Sequence, residues 1–282
     1  MARNDFDEIA ERKLLTLRGV LSSFESICIA FSGGVDSTFL LRVSKDVLGA
    51  NVLAVTATSP TYPQRELNEA IESAQKIGVR HLLISSNELD IPGFSENTTK
   101  RCYYCKHDLF RKLKAEAEKY GIEAVADGSN YDDTEDYRPG RKAAKEIGIR
   151  SPLCEAELTK NEIRYLSREL GLSTWNKPSL ACLSSRIPYN EKITEEKLRQ
   201  VEAAEDILRN LGFTQFRVRH HNDIARIEFI PDEMSSLNVY EMRSSIDSAL
   251  KSLGFKYVAV DLRGYRTGSM NEVLDIYERR ES

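Results

Sequence analysis

Ser32-Gly33-Gly34-Val35-Asp36-Ser37 constrains this chain more than any other stretch, because of what flanks it. An apolar run, Ile27–Phe31, precedes it, and Thr38–Val43, which reads as helix, follows it. A glycine turn between a buried strand and a helix start aims backbone N–H groups and the positive end of a helix dipole at one point, the makings of an anion site. The stretch lacks the Lys-Ser/Thr ending of a Walker loop, so a cradle for a transferred terminal phosphate is a poor match. The bland alternative is a plain glycine turn with Ser37 as helix cap.

The first half of the chain alternates strand and helix. Phe6–Phe24 carries apolar residues at helical spacing, and Ile27–Phe31, Val52–Ala57, His81–Ile84 and Glu123–Ala126 read as strands. The helices between them end at Gly49, Gly78, Gly121 and Gly148. This order predicts an α/β fold with a doubly wound parallel sheet, which binds ligands past the carboxyl ends of its strands. Thr159-Lys160-Asn161-Glu162 is a capping box for a further helix. After the irregular stretch Ser173–Asn190, a long helix near Thr194–Leu211, strands Phe213–His220, Ile224–Ile230 and Tyr257–Val260, and a helix near Val239–Leu253 predict a smaller α+β domain. The boundary is expected near residue 185, giving domains 1–185 and 186–282.

Composition excludes several classes. No apolar run approaches the roughly 20 residues of a membrane span, and Met1–Asp7 has no apolar signal core, so a cytoplasmic protein is expected. With 40 Lys+Arg against 44 Asp+Glu the chain is slightly acidic, which counts against a nucleic-acid partner. Its five cysteines then favour thiol, metal or cluster chemistry over disulfides.

Cys102-Tyr103-Tyr104-Cys105 sits among basic residues, and Cys182 lies in Lys177-Pro178-Ser179-Leu180-Ala181-Cys182-Leu183-Ser184-Ser185-Arg186. Basic neighbours favour the thiolate. Zinc with His107 as fourth ligand, a redox pair, and an iron–sulfur cluster on three thiolates all stay open from the residues alone. Cys28 reads as core, Cys154 as incidental and Trp175 has no assigned role. Asp127-Gly128-Ser129-Asn130 ends a predicted strand, where its carboxylate and amide groups can face a ligand or form a plain Asx-rich turn. Arg217 and Arg219 alternate on one strand face, a fork pair suited to a phosphate. His220 and His221 read as satisfied side chains rather than general bases.

The six-residue loop resembles that of the PP-loop ATP pyrophosphatases, which release pyrophosphate while adenylating a substrate. Over nearly its whole length the chain resembles the LarE-type sulfur transferases. The likeness rests on Phe31–Ser37, Arg101–Lys106, Asp127–Asn130 through Asp136–Gly140, Ala181–Tyr189 and Asp261–Asn271. It implies a PP-loop domain followed by a substrate-binding and oligomerisation domain. It implies ATP- and Mg2+-dependent adenylation of a carboxylate on a pyridinium dicarboxylate mononucleotide. Sulfur then converts that group to a thiocarboxylate, a step in building the nickel-pincer nucleotide of lactate racemase.

By the same resemblance Ser32, Gly33, Gly34, Asp36, Ser37, Asp127 and Asn130 hold the nucleotide, Asp36 and Asp127 hold Mg2+ beside its phosphate oxygens, and Arg217 and Arg219 hold the substrate phosphate. Ser185 and Arg186 orient the anionic substrate beside Cys182, and Glu228 is a metal or structural partner. One branch of the family consumes the cysteine matching Cys182 as sulfur donor. The other holds a 4Fe-4S cluster on cysteines matching Cys102, Cys105 and Cys182, with sulfide or another donor replenishing it. All three are present here, so the cluster branch is expected, together with a homo-oligomer, a hexamer by the family pattern. A tRNA thiolase, an ATP-dependent amide synthetase and a non-enzymatic adenine-nucleotide sensor are the rival readings. The motif Arg263–Asn271 has no mechanism attached.

Overall fold

Alternation of buried side chains along two central strands decides the architecture of the first unit. In the computed structural model, which describes residues 5–134, 139–178, 181–266 and 268–273, the chain divides into two compact units. One comprises residues 1–86 and 102–180, the other residues 87–101 and 181–282. Asp136, Tyr137, Arg138, Ser179, Leu180 and Thr267 of the motifs above lie outside the described residues.

The first unit runs α1 (Asp5–Ser22), β1 (Ile27–Ala30), α2 (Val35–Leu48), β2 (Val52–Thr58), α3 (Gln64–Ile77), β3 (Arg80–Ser85), α4 (Arg101–Lys119), β4 (Ala124–Ala126), α5 (Pro139–Ile147), α6 (Pro152–Glu155) and α7 (Lys160–Glu169). Its four strands pair in parallel in the order β3-β2-β1-β4. Ile27, Ile29, Val52 and Ala54 pack with Leu17, Leu40, Ala70 and Ile163 on one face. Cys28, Leu53 and Val55 pack with Phe110, Leu113 and Ala144 on the other. A period of two thus feeds two cores, and the parallel sheet is covered on both sides as the alternation predicts. Burial, with Glu116 nearby, pushes the Cys28 thiol up to about 12, so Cys28 serves as core.

The second unit holds α8 (Glu195–Asn210), β5 (Phe216–His221), β6 (Ile224–Phe229), the short α9 (Pro231–Met234), α10 (Tyr240–Ser252) and β7 (Tyr257–Val260). β5 and β6 are antiparallel across a tight turn in which Asn222 takes φ +51°, as asparagine tolerates. β7 returns parallel to β6 through α10. Phe216, Val218, Ile227, Phe229, Leu208 and Leu250 fill its core. Buried Asn97 explains why residues 87–101 belong here. Its carbonyl accepts from Asn190 N at 3.0 Å, and its Nδ2 donates to Pro188 O at 2.6 Å. The expected boundary near residue 185 falls just inside this unit, which takes up the chain again at Ala181.

One helix starts well before its expected position. The sequence reads helix only from Asp108, yet α4 begins at Arg101, because Cys102–His107 has too few apolar residues to display a helical period. No described helix is long and apolar enough to cross a membrane.

The capping box at Thr159 is present in both directions: Glu162 N donates to Thr159 Oγ1, and Thr159 N to Glu162 Oε2. Thr159→Ala is expected to cost about 1 kcal/mol, the worth of an N-cap. A urea titration should show a lower midpoint with an unchanged slope.

Candidate functional site

The glycine turn is shaped by close approach from two sides. Gly33 takes φ +62°, and a Cβ there would lie 2.8 Å from Ala70 Cβ on α3. A Cβ on Gly128 would lie 3.0 Å from the backbone nitrogen of Ser37. The ends of neighbouring β1 and β4 therefore meet at the start of α2. Gly34 caps that helix and supplies no side-chain acceptor, so the first-turn amides are not taken up by a capping side chain. Ser37 is not the N-cap. Its Oγ sits inside the first turn, accepts from Ser32 N at 3.3 Å and lies 3.1 Å from Ser32 Oγ.

Asp36 and Asp127 differ in what holds them. Asp36 Oδ2 accepts from Lys160 Nζ at 2.5 Å, whereas Oδ1 is buried with no hydrogen-bond partner, an acceptor suited to a cation. Asp127 accepts from Ser129 N, Ser129 Oγ and Ser151 Oγ at 3.2, 2.7 and 2.8 Å. That uses three of the roughly four lone-pair positions of a carboxylate. Asn130 is buried and exchanges hydrogen bonds with Asp133, which fixes the turn after β4.

Around Cys182 the second unit gathers charge. Cys182 is exposed and precedes a 3-10 turn, Leu183–Arg186. Arg186, expected to face substrate, is 3 % exposed and turned inward. Its guanidinium grips Glu205 through Nε and Nη2 at 2.8 and 2.9 Å, while Nη1 donates to Ala181 O and Cys182 O at 2.7 and 3.1 Å and to Ser185 Oγ at 3.0 Å. Arg186 thus fixes the turn that presents Cys182. Burial alone would lower its pKa, but Glu205 outweighs that and raises it. Burial would likewise raise Glu205, and Arg186 outweighs it in the opposite sense, holding the carboxyl below its ordinary range.

Arg217 and Arg219 share a face of β5 but differ in use. Arg219 is buried and donates to Ser185 O, Glu228 Oε2 and Ser269 Oγ at 2.8, 2.6 and 2.7 Å, so it braces the same turn. Arg217 lies 5.2 Å from the Tyr265 ring centroid. Burial first, and the Arg186 charge second, lower its pKa, with Glu205 opposing them. Glu228 is fully buried and pairs with Arg219 and Arg226, a structural partner in this arrangement. The unexplained C-terminal motif packs here too. A Cβ on Gly264 would strike the Phe229 carbonyl, Ser269 meets Glu228, and Asn271 accepts from Tyr189 OH at 3.0 Å.

Cys102 and Cys105 stand in the first turn of α4, where the i, i+3 spacing sets them on one face. Cys102 is exposed and Cys105 half-buried. They belong to the first unit and Cys182 to the second. Among the described residues no three His, Cys, Asp or Glu side chains gather as a metal site within either unit. Sequence reasoning missed Lys160, Lys177, Tyr62 and Glu205. Lys160 and Lys177 stood inside quoted motifs, but no local signal tells which carbonyl or carboxylate a lysine will reach.

Residues 11–111 match the family model described as NAD synthase. The chain is 45% identical to the uncharacterized protein slr1717 of Synechocystis over 94% of this chain and 98% of that one. It is 41% identical to the pyridinium-3,5-bisthiocarboxylic acid mononucleotide synthase of Lactiplantibacillus plantarum, over 93% of this chain and 95% of that one. A Methanocaldococcus jannaschii protein, MJ0830, is 32% identical over 91% of this chain and 98% of its own.

Removing Glu205 should strand a buried guanidinium. Glu205→Ala is expected to destabilise by about 3 kcal/mol, the lower end for a broken buried pair. Because the folded carboxyl titrates below its unfolded value, the pair contributes fully above the ordinary glutamate range. That contribution fades as pH falls through the depressed value. Denaturation midpoints against pH should show this acid loss in the wild type and a smaller one in Glu205→Ala.

Proposed function

The chain belongs to the LarE-type family of ATP-dependent sulfur transferases, and from that premise we propose how its own residues carry the reaction. It is an enzyme that activates a carboxylate of a pyridinium dicarboxylate mononucleotide with ATP and converts it to a thiocarboxylate. The observation that carries the reading is the glycine turn opening α2 without a capping side chain, in a chain 41% identical to the Lactiplantibacillus synthase.

A carboxylate resists attack because its leaving group would be oxide. Adenylation replaces that with AMP, and pyrophosphate leaves. The backbone donors of Gly33, Gly34 and the first turn of α2 receive the phosphates, and the Ser32 and Ser37 hydroxyls flank them. Mg2+, when bound, offsets phosphate charge, and the open Oδ1 of Asp36 fits it, with Asp127 contributing its remaining lone pair. Lys160, now on Asp36, stands ready to follow the negative charge onto the phosphates. In the second unit Arg217 answers the substrate phosphate, while Arg186 and Arg219 hold the Ser185 turn and present Cys182.

For the sulfur we propose a 4Fe-4S cluster on Cys102, Cys105 and Cys182, refilled by sulfide or a related donor. Its support is that these three thiols stand outside the packed core, unlike Cys28. The second reading is a Cys182 that gives up its own sulfur, which its exposure on the Leu183–Arg186 turn favours. The family reading places the protein in the cytoplasm. The family reading also carries a homo-oligomer and no nucleic-acid partner.

Anaerobic incubation with ATP, Mg2+, sulfide and the pyridinium mononucleotide should yield AMP, pyrophosphate and thiocarboxylate. Absence of all three overturns the proposal. Asp36→Asn is expected to lower turnover by on the order of a hundredfold, as for loss of a charge-stabilising group. Anaerobically purified protein should contain iron and sulfide that Cys182→Ala loses. A mass spectrum showing dehydroalanine at residue 182 after turnover would instead establish the sacrificial route.

A further inference from the structure

The loop that receives the phosphates has its carbonyls held by donors from other segments of the same unit. Phe31 O accepts from Thr56 Oγ1 at 2.6 Å, Ser32 O from Tyr62 OH at 2.7 Å, and Gly33 O from Lys177 Nζ at 3.2 Å. Gly34 O accepts from Thr38 N at 3.0 Å. Four successive carbonyls are thereby fixed in direction. In a planar trans peptide the C=O and the following N–H point opposite ways. Holding the carbonyls of Ser32 and Gly33 therefore aims the N–H groups of Gly33 and Gly34 to the side away from Tyr62 and Lys177.

The clamps are themselves anchored. Lys177 is 12 % exposed and pairs at 2.7 Å with both Glu66 and Glu69, one turn apart on α3. Tyr62 OH also lies 3.3 Å from Glu66 O. Burial first, then Glu66 and Glu69, raise the Tyr62 phenol above its ordinary value, so it keeps its proton and stays a donor. The loop needs such outside support. Two adjacent glycines leave many backbone states open, and a flipped Ser32–Gly33 or Gly33–Gly34 peptide would present a carbonyl lone pair where an anion needs a donor.

We propose that Tyr62 and Lys177 are positioning residues that hold the glycine turn in its anion-binding form by fixing the carbonyls of Ser32 and Gly33. This rests on the turn being the phosphate site. A loop that is competent only part of the time binds more weakly in proportion to the competent fraction, while the bound state reacts as before.

The test is calorimetric titration of Mg·ATP, and of pyrophosphate alone, into the full-length protein and its Tyr62→Phe, Lys177→Met and Lys177→Arg variants, with steady-state kinetics alongside. Tyr62→Phe should raise Kd and KM for ATP about fivefold, the net worth of one hydrogen bond. Lys177→Met should raise both by more than about tenfold, since a charged donor is lost, and Lys177→Arg should recover most of that. The kcat at saturating ATP should stay within about twofold. A purely structural role would lower melting temperature and active fraction while leaving KM in place, and that result overturns the proposal. So does a Tyr62→Phe protein that binds both probes as the wild type does, which decides the matter even if Lys177→Met does not fold. If the wild type binds neither probe, the phosphate reading of the turn fails instead.

Discussion

The constraint on which the first unit depends is the packing distance around the turn between β1 and α2. α3 comes so near that Gly33 has no room for a side chain, and the end of β4 comes so near that Gly128 has none either. Only backbone fits between these elements, and backbone is what an anion site needs, because amides deliver donors without occupying space. The order of the sheet brings these elements to the same point. β1 lies between β2 and β4, so residues following both β1 and β4 converge on one helix start. In open α/β sheets this is where ligands bind, outside the carboxyl ends of the strands.

The second unit is built on a different problem, how to keep arginines inside. A buried guanidinium without a partner is strongly disfavoured, and Glu205 and Glu228 answer Arg186 and Arg219 with direct pairs. Each of these arginines then has donors left over, and both use them on the turn bearing Cys182 and Ser185. Ion pairs that would add little on a surface here fix the direction of backbone carbonyls. Arg217, its pKa lowered by burial and by Arg186, lies on the same strand face beside the Tyr265 ring.

Local signals made much of the fold legible. The helix from Gln64 to Ile77 ending at Gly78, the capping box at Thr159 and the apolar strand Ile27–Ala30 are each short-range facts, and the structure has all three. The start of α4 was hidden because Cys102–His107 has too few apolar residues to display a helical period. The assignment of residues 87–101 to the second unit was hidden for another reason: it depends on Asn97 meeting Pro188 and Asn190, contacts between segments far apart in the chain.

The sequence by itself determined the parallel sheet and the glycine turn at a helix start, since both follow from spacing and residue type along one stretch at a time, and its motifs carried the resemblance that named the family and the candidate residues. Tertiary structure alone decided which candidates face outward and which brace their neighbours. Arg186, Arg219 and Asp127 all looked like ligand-binding groups, and all three have hydrogen bonds to Glu205, Glu228, Ser151 or backbone that direct them into the protein. Tyr62, Lys160 and Lys177, to which the sequence attached no role at the site, reach the glycine turn and the helix start that follows it. A side chain's role depends on which donor or acceptor lies within about 3 Å of its tip. That distance is set by the packing of segments dozens of residues apart.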